Sequence, residues 1–171
     1  EGAPQLELMM ATWLSLSFST FLRFSDAAVI LCSDVRFHAD HMEVFIDSRK
    51  NDQFRAGSVV LVARGTGPAC PVNLTARLIA AGDLVGKDVP LFRSFDARKK
   101  RIVLGTKQLE YARLQYTLLP MLANLLGLSV EETTRMYGLR SARSGGASRA
   151  AALDVPDRVW KQHGGWRSEK A

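Results

Sequence analysis

From Leu8 to Leu22 the chain is largely apolar, and this segment constrains the fold more than any other stretch of the sequence. It is shorter than the roughly 20 residues a membrane span needs, has no basic leader, and is interrupted by Thr12, Ser15, Ser17, Ser19 and Thr20. Burial against other elements is then the way to keep these side chains from water. The segment reads as a buried helix pair, one helix across Gln5 to Ser17 and a second opening near Ser19 or Thr20 that carries Arg23 and Asp26 on adjacent turns.

A core of that kind needs partners, and the rest of the chain supplies them. With 171 residues and 47% hydrophobic composition, the sequence can enclose one sizeable core and reads as a single domain over 1–171, without repeats or low-complexity stretches. Met42, Val44 and Ile46 alternate with Glu43, Phe45 and Asp47, and Ser58 to Ala63 is rich in valine, so an antiparallel hairpin is expected with a polar connection from Ser48 to Gly57. Gly65-Thr66-Gly67-Pro68 lacks the spacing of a phosphate loop and reads as a turn. Pro71 starts a helix that ends at Gly82. A long helix is expected from about Lys107 to Leu126, ending at Gly127, with Leu109, Leu118, Leu122 and Leu125 in a buried stripe. Ser129 and Glu132 form a capping box for a short helix that closes near Gly138, the segment holding Arg143 follows as a helix, and Asp154-Val155-Pro156-Asp157 opens a last helix stopped by Gly164-Gly165. The sum is a mainly α domain with a small antiparallel β-sheet, an α+β fold.

Charge points outward from that fold to a partner. The formal net charge of +6 favours a polyanion, nucleic acid above all, although an anionic membrane surface would satisfy the charge equally. The basic run Ala97-Arg98-Lys99-Lys100-Arg101 reads as a phosphate contact, a nuclear address or a solvated loop. Two cysteines, Cys32 and Cys70, sit among apolar residues and make no disulfide framework, which fits a reducing intracellular compartment. Tested as zinc ligands with His38 and His41, they match no common spacing, and no metal is predicted.

Arg140-Ser141-Ala142-Arg143-Ser144-Gly145-Gly146-Ala147 sets two guanidiniums three residues apart and follows them with two glycines. On a helix, residues three apart share a face, while the glycines let another backbone come close. Such a pair suits a phosphate, because a guanidinium can donate two parallel hydrogen bonds to it. Upstream stand Arg23 within Ser19 to Asp26 and Lys50 within Ser48-Arg49-Lys50-Asn51-Asp52-Gln53; downstream stands Trp160-Lys161-Gln162-His163-Gly164-Gly165-Trp166. Taken alone, Lys50 reads as a solvated hairpin tip; an exposed Arg near a helix start is the competing reading of Arg140, and a cap on helix carbonyls the competing reading of His163.

In this order and at these separations, the motifs resemble the catalytic domain of the tyrosine recombinases, the phage integrase family, from about Thr12 to the end of the chain. The resemblance implies DNA strand breakage and rejoining, in integration or transposition, by transesterification through a phosphotyrosine, with no cofactor, ATP or metal. It implies Arg23 and Arg143 as the phosphate clamp, Lys50 as proton donor to the leaving 5′ oxygen, and His163 on the phosphate, with Asp26 orienting Arg23 and Trp166 packing beneath the site. Arg140 stands where the family has His. An Arg cannot accept a proton at ordinary pH, so its implied role is electrostatic. The nucleophilic Tyr is expected after the His163 motif, and none occurs before Ala171; Tyr111, Tyr116 and Tyr137 precede it and read as helix packing residues. The stretch is therefore expected to be an incomplete and inactive catalytic domain, without the family's N-terminal core-binding domain and its C-terminal Tyr segment. Double-stranded DNA is the implied partner, with homo-oligomers on DNA in the full-length protein, no membrane, and an intracellular location with DNA: nucleus in a eukaryote, cytoplasm or nucleoid for a bacterium or phage. The alternative is a non-catalytic DNA-binding module derived from a recombinase.

Overall fold

The computed structural model describes residues 3–47, 57–96 and 103–166; Lys50 and the basic run Ala97 to Arg101 lie outside them. Among the described residues the order is α1 (Ala3–Thr20), α2 (Phe24–Ala28), β1 (Val35–Phe37), β2 (His41–Ile46), β3 (Ser58–Ala63), α3 (Pro71–Ala81), β4 (Arg93–Asp96), β5 (Val103–Gln108), α4 (Tyr111–Leu126), α5 (Val130–Met136), α6 (Leu139–Ala152) and α7 (Asp157–His163). The α+β architecture expected from the sequence is present, with mostly helical elements and small antiparallel sheets.

The apolar N-terminal segment forms one long helix where a break before Ser19 was expected. The Thr20 hydroxyl, which would cap a new helix, bonds back into this one: Thr20 Oγ1 donates to Leu16 O at 2.6 Å, as Thr12 Oγ1 does to Leu8 O earlier in the helix. Met9, Met10, Trp13 and Leu16 are fully buried, and α1 packs on both α3 and α6. It is the axis of the core. No helix among the described residues is long and apolar enough to cross a membrane.

The predicted hairpin is the centre of a three-stranded sheet in the order β1-β2-β3, antiparallel throughout. Alternation sends Met42, Val44 and Ile46 of β2 inward with Val60 and Val62 of β3, beneath Val35 of β1. A second hairpin, β4 with β5, pairs Arg93 with Gln108. Lys107 and Gln108 are therefore strand residues, and the long helix starts later, at Tyr111. Gly127 ends that helix in the left-handed conformation, as expected, but Leu125 is 81% exposed, so the buried stripe runs through Leu114, Leu118 and Ala123 instead. Ser129 and Glu132 close the capping box of α5: Glu132 N donates to Ser129 Oγ at 3.1 Å, and Ser129 N donates to Glu132 Oε2 at 2.9 Å. The Ser129 hydroxyl, which donates to Glu132 Oε2 at 2.7 Å, and the Ser129 N–H on the same oxygen hold the Glu132 carboxyl below its ordinary range.

Candidate functional site

The site begins where α1 gives way to α2. Phe21 adopts a left-handed backbone conformation at φ 52°, which is strained for a bulky residue and persists only where surrounding contacts impose it. Those contacts come from the far end of the sequence. An Arg143 Nη1 hydrogen bond is donated to Phe21 O, and His163 Nε2 lies 2.8 Å from Ser19 O. A carbonyl can only accept, so His163 Nε2 carries the proton. The His163 ring meets Phe21 edge-on at 5.1 Å between centroids.

Arg23 follows the bend as the N-cap of α2. Asp26, three residues on and only 3% exposed, turns its carboxylate back: Oδ2 accepts from Arg23 N at 3.3 Å and stands 3.9 Å from Arg23 Nη1, while Oδ1 accepts from Ser25 Oγ at 3.2 Å. One acid thus caps the helix and orients the guanidinium beside it. The ion pair between Asp26 and Arg23 across one helical turn is present.

One glycine of each pair serves close approach. A Cβ on Gly146 would run into the backbone oxygen of Phe18 and the ring of Phe21, so the absence of a side chain is what lets α6 lie against the end of α1. A Cβ on Gly164 would collide with the indole of Trp166, which folds back over it. That folding puts Trp166 beneath the Arg143 guanidinium, 4.0 Å from the ring centroid, with Phe21 and Trp160 on its other sides. Arg143 Nη2 also donates to Gly164 O at 3.3 Å. Hydrogen bonds and stacking together leave the guanidinium in one orientation.

Arg23, Arg140 and Arg143 line one open cavity of about 540 Å³, together with Leu22, Phe24, Ser25, Tyr111, Leu139, Ser144 and Trp166. Three guanidiniums and the single carboxylate of Asp26 leave this corner positive, suited to an anion with several acceptor oxygens. Arg140 is exposed on its rim. His163 is not among the lining residues; it stands behind the wall, against Phe21 and Ser19. Lys50, the expected proton donor, lies outside the described residues.

Tyr111 is the residue that sequence reasoning missed. It stands at the first turn of α4, half-exposed, edge-on to Phe24 at 5.2 Å, and its side chain borders the arginine cavity. No spacing signal links it to Arg140 or Arg143; only the tertiary fold does. Tyr116, read as a packing residue, is instead 80% exposed, whereas Tyr137 lines a separate apolar groove between α1 and α4. The cysteines are apart from the cavity. Cys32 is buried in the core, where burial pushes its thiol up, and Cys70 precedes α3 with Sγ accepting from Gly65 N at 3.2 Å. No family model matches this chain, and no curated protein matches its sequence.

Proposed function

We propose that this chain is catalytic-domain sequence of a tyrosine recombinase, a DNA breaking-and-rejoining enzyme that acts through a phosphotyrosine. The observation that carries the reading is the convergence of Arg23, from the α1–α2 bend, with Arg140 and Arg143 of α6 on one positive cavity. A scissile phosphodiester gains charge on its nonbridging oxygens as a nucleophile adds, and guanidiniums fixed in advance stabilise that charge without reorganising. Arg143 is fixed by two carbonyls and an indole, Arg23 by Asp26.

In this reading the Tyr oxygen attacks phosphorus, the bond to the 5′ oxygen breaks, and Lys50 gives a proton to that leaving oxygen, which departs as a 5′ hydroxyl. The Tyr proton passes to solvent water as the oxygen attacks, and Arg140, which cannot accept it, favours the phenolate by its charge. The bond energy stays in the 3′ phosphotyrosine until a second 5′ hydroxyl reverses the step. His163 contributes through the wall: by holding Ser19 O it keeps the bend that presents Arg23. Duplex DNA is the partner, and the protein works where DNA is.

A second reading has its own support. Arg143 and His163 both hold protein carbonyls, and the position where the family has a proton-accepting His is Arg140, an arrangement that a DNA-binding module without chemistry would also use. A nicked suicide substrate separates the two. Incubated with the complete gene product, it is expected to leave a covalent protein–DNA band on denaturing electrophoresis that Arg23→Ala or Arg143→Ala abolishes. Salt-sensitive duplex binding with no band in any variant would leave the module.

A further inference from the structure

The turn between β1 and β2 gathers side chains that the arginine cavity does not use. In β2, alternation turns Met42 and Val44 into the core and places His41 and Glu43 together on the outer face. The turn brings His38 across to them: His38 N donates to His41 O at 2.9 Å, and the two imidazoles stack at 4.3 Å between centroids with 8° between planes. His38 Nε2 is 3.6 Å from Glu43 Oε2, and one candidate ligand atom from each of His38, His41 and Glu43 lies within 4.8 Å of the others. Asp40 Oδ1 stands 2.7 Å from His41 Nδ1. A carboxylate on one ring nitrogen orients the imidazole and leaves the other nitrogen to serve as a ligand.

The backbone under this cluster is held from one direction. Arg64 N donates to Asp40 O at 2.7 Å, Arg64 Nε to Ala39 O at 2.9 Å and Arg64 Nη2 to His38 O at 3.1 Å, while Nη1 is anchored on Asn73 Oδ1 at 2.6 Å. Three successive turn carbonyls are thereby fixed, so the His38 and His41 Cα atoms keep their separation whether or not their side chains are occupied. Arg36, opposite Glu43 in the strand register, is the neighbouring cation that a bound metal would have to tolerate.

We propose that His38, His41 and Glu43 form a binding site for a zinc-class divalent metal ion, with Asp40 as the group that orients His41. Two imidazoles and one carboxylate are the donor set of three-ligand zinc sites, which complete a tetrahedron with water, and they suit late first-row ions far better than magnesium or calcium. Ligand atoms around tetrahedral zinc sit roughly 3.3 Å apart, so the cluster needs to contract by about 1.5 Å at most, within reach of side-chain rotation. His41 pairs with Ala63 and Ile46 with Ser58, so the site lies at the opposite end of β2 from the connection that follows Ile46. Its occupation would clamp β1 to β2 there. The inference is independent of the recombinase reading.

The experiment is a titration of untagged, metal-stripped protein with zinc ion by calorimetry and with cobalt ion by visible absorption. The site predicts saturable uptake of a single equivalent in the micromolar range or tighter, with the intense ligand-field bands of four-coordinate cobalt and no competition from excess magnesium or calcium. His38→Ala and Glu43→Gln should each weaken uptake at least about 100-fold, and Asp40→Asn about 10-fold. His38 is exposed, so its loss leaves folding intact, and circular dichroism on each variant confirms that. Absence of saturable uptake, uptake undiminished in both ligand variants, or displacement by equimolar calcium would overturn the assignment.

Discussion

The two sides of the arginine cavity are built differently although α6 supplies an arginine to each. On the inner side Arg143 is bonded to Phe21 O and Gly164 O and stacked on Trp166, His163 is bonded to Ser19 O, and Gly146 is pressed against Phe18. On the outer rim Arg140 and Tyr111 are exposed to solvent. One turn of helix separates a side chain that the fold uses as a tie from one that faces the cavity opening. The difference teaches that an Arg-x-x-Arg pair can divide its labour: the inner guanidinium ties α6 to Phe21 and Gly164, and the outer one stays exposed at the mouth of the cavity.

The largest effect should come from the inner side. Gly146→Ala places a Cβ against the Phe18 carbonyl, and since that is backbone, α1 and α6 must separate; a loss of about 3 kcal/mol or more is expected in urea denaturation. A loss below about 1 kcal/mol would mean that the helix seam is looser than described. Arg143→Ala comes next, at about 2 kcal/mol, because two carbonyls lose a charged donor and Trp166 loses its cover. Arg143→Lys should restore little of this, as an ammonium cannot fork between Phe21 O and Gly164 O while lying flat on an indole.

Outside both sides, Ser129→Ala removes the N-cap of α5 and should cost about 1 kcal/mol without altering DNA affinity. The Glu132 carboxyl paired with it titrates below its ordinary range, so its contribution is present above the unfolded-state value and is lost as pH falls through the lower folded-state value. The stability gap between wild type and Ser129→Ala should therefore narrow on acidification. A gap that widened would contradict the capping box. Arg140→Ala should be the smallest in stability, within about 0.5 kcal/mol, since an exposed side chain leaves nothing buried unpaired.

How far these features could be read in advance depended on whether their cause was local. The capping box at Ser129, the Pro71 start and Gly127 stop are decided by a few neighbouring residues, and the structure has them as expected. The end of α1 was misread because Ser and Thr can cap a new helix or bond back into the old one, and which they do at Thr20 depends on burial. Lys107 joined a strand because Arg93 lies opposite Gln108 at the start of a hairpin, a pairing that helical periodicity does not register. In the site, Arg-x-x-Arg with two glycines was legible because spacing on one helix sets it. Tyr111 and the Phe21 bend were not, since each depends on residues distant in sequence brought together by packing.

The central claim is that the open rim meets phosphate, and fluorescence anisotropy with duplex DNA across a salt series tests it most directly. The account predicts that affinity falls linearly with salt on logarithmic axes, with little sequence preference, and that Arg140→Ala weakens binding while lowering the slope by about 1 at unchanged stability. Binding that ignores salt, or an Arg140→Ala slope identical to wild type, would contradict it.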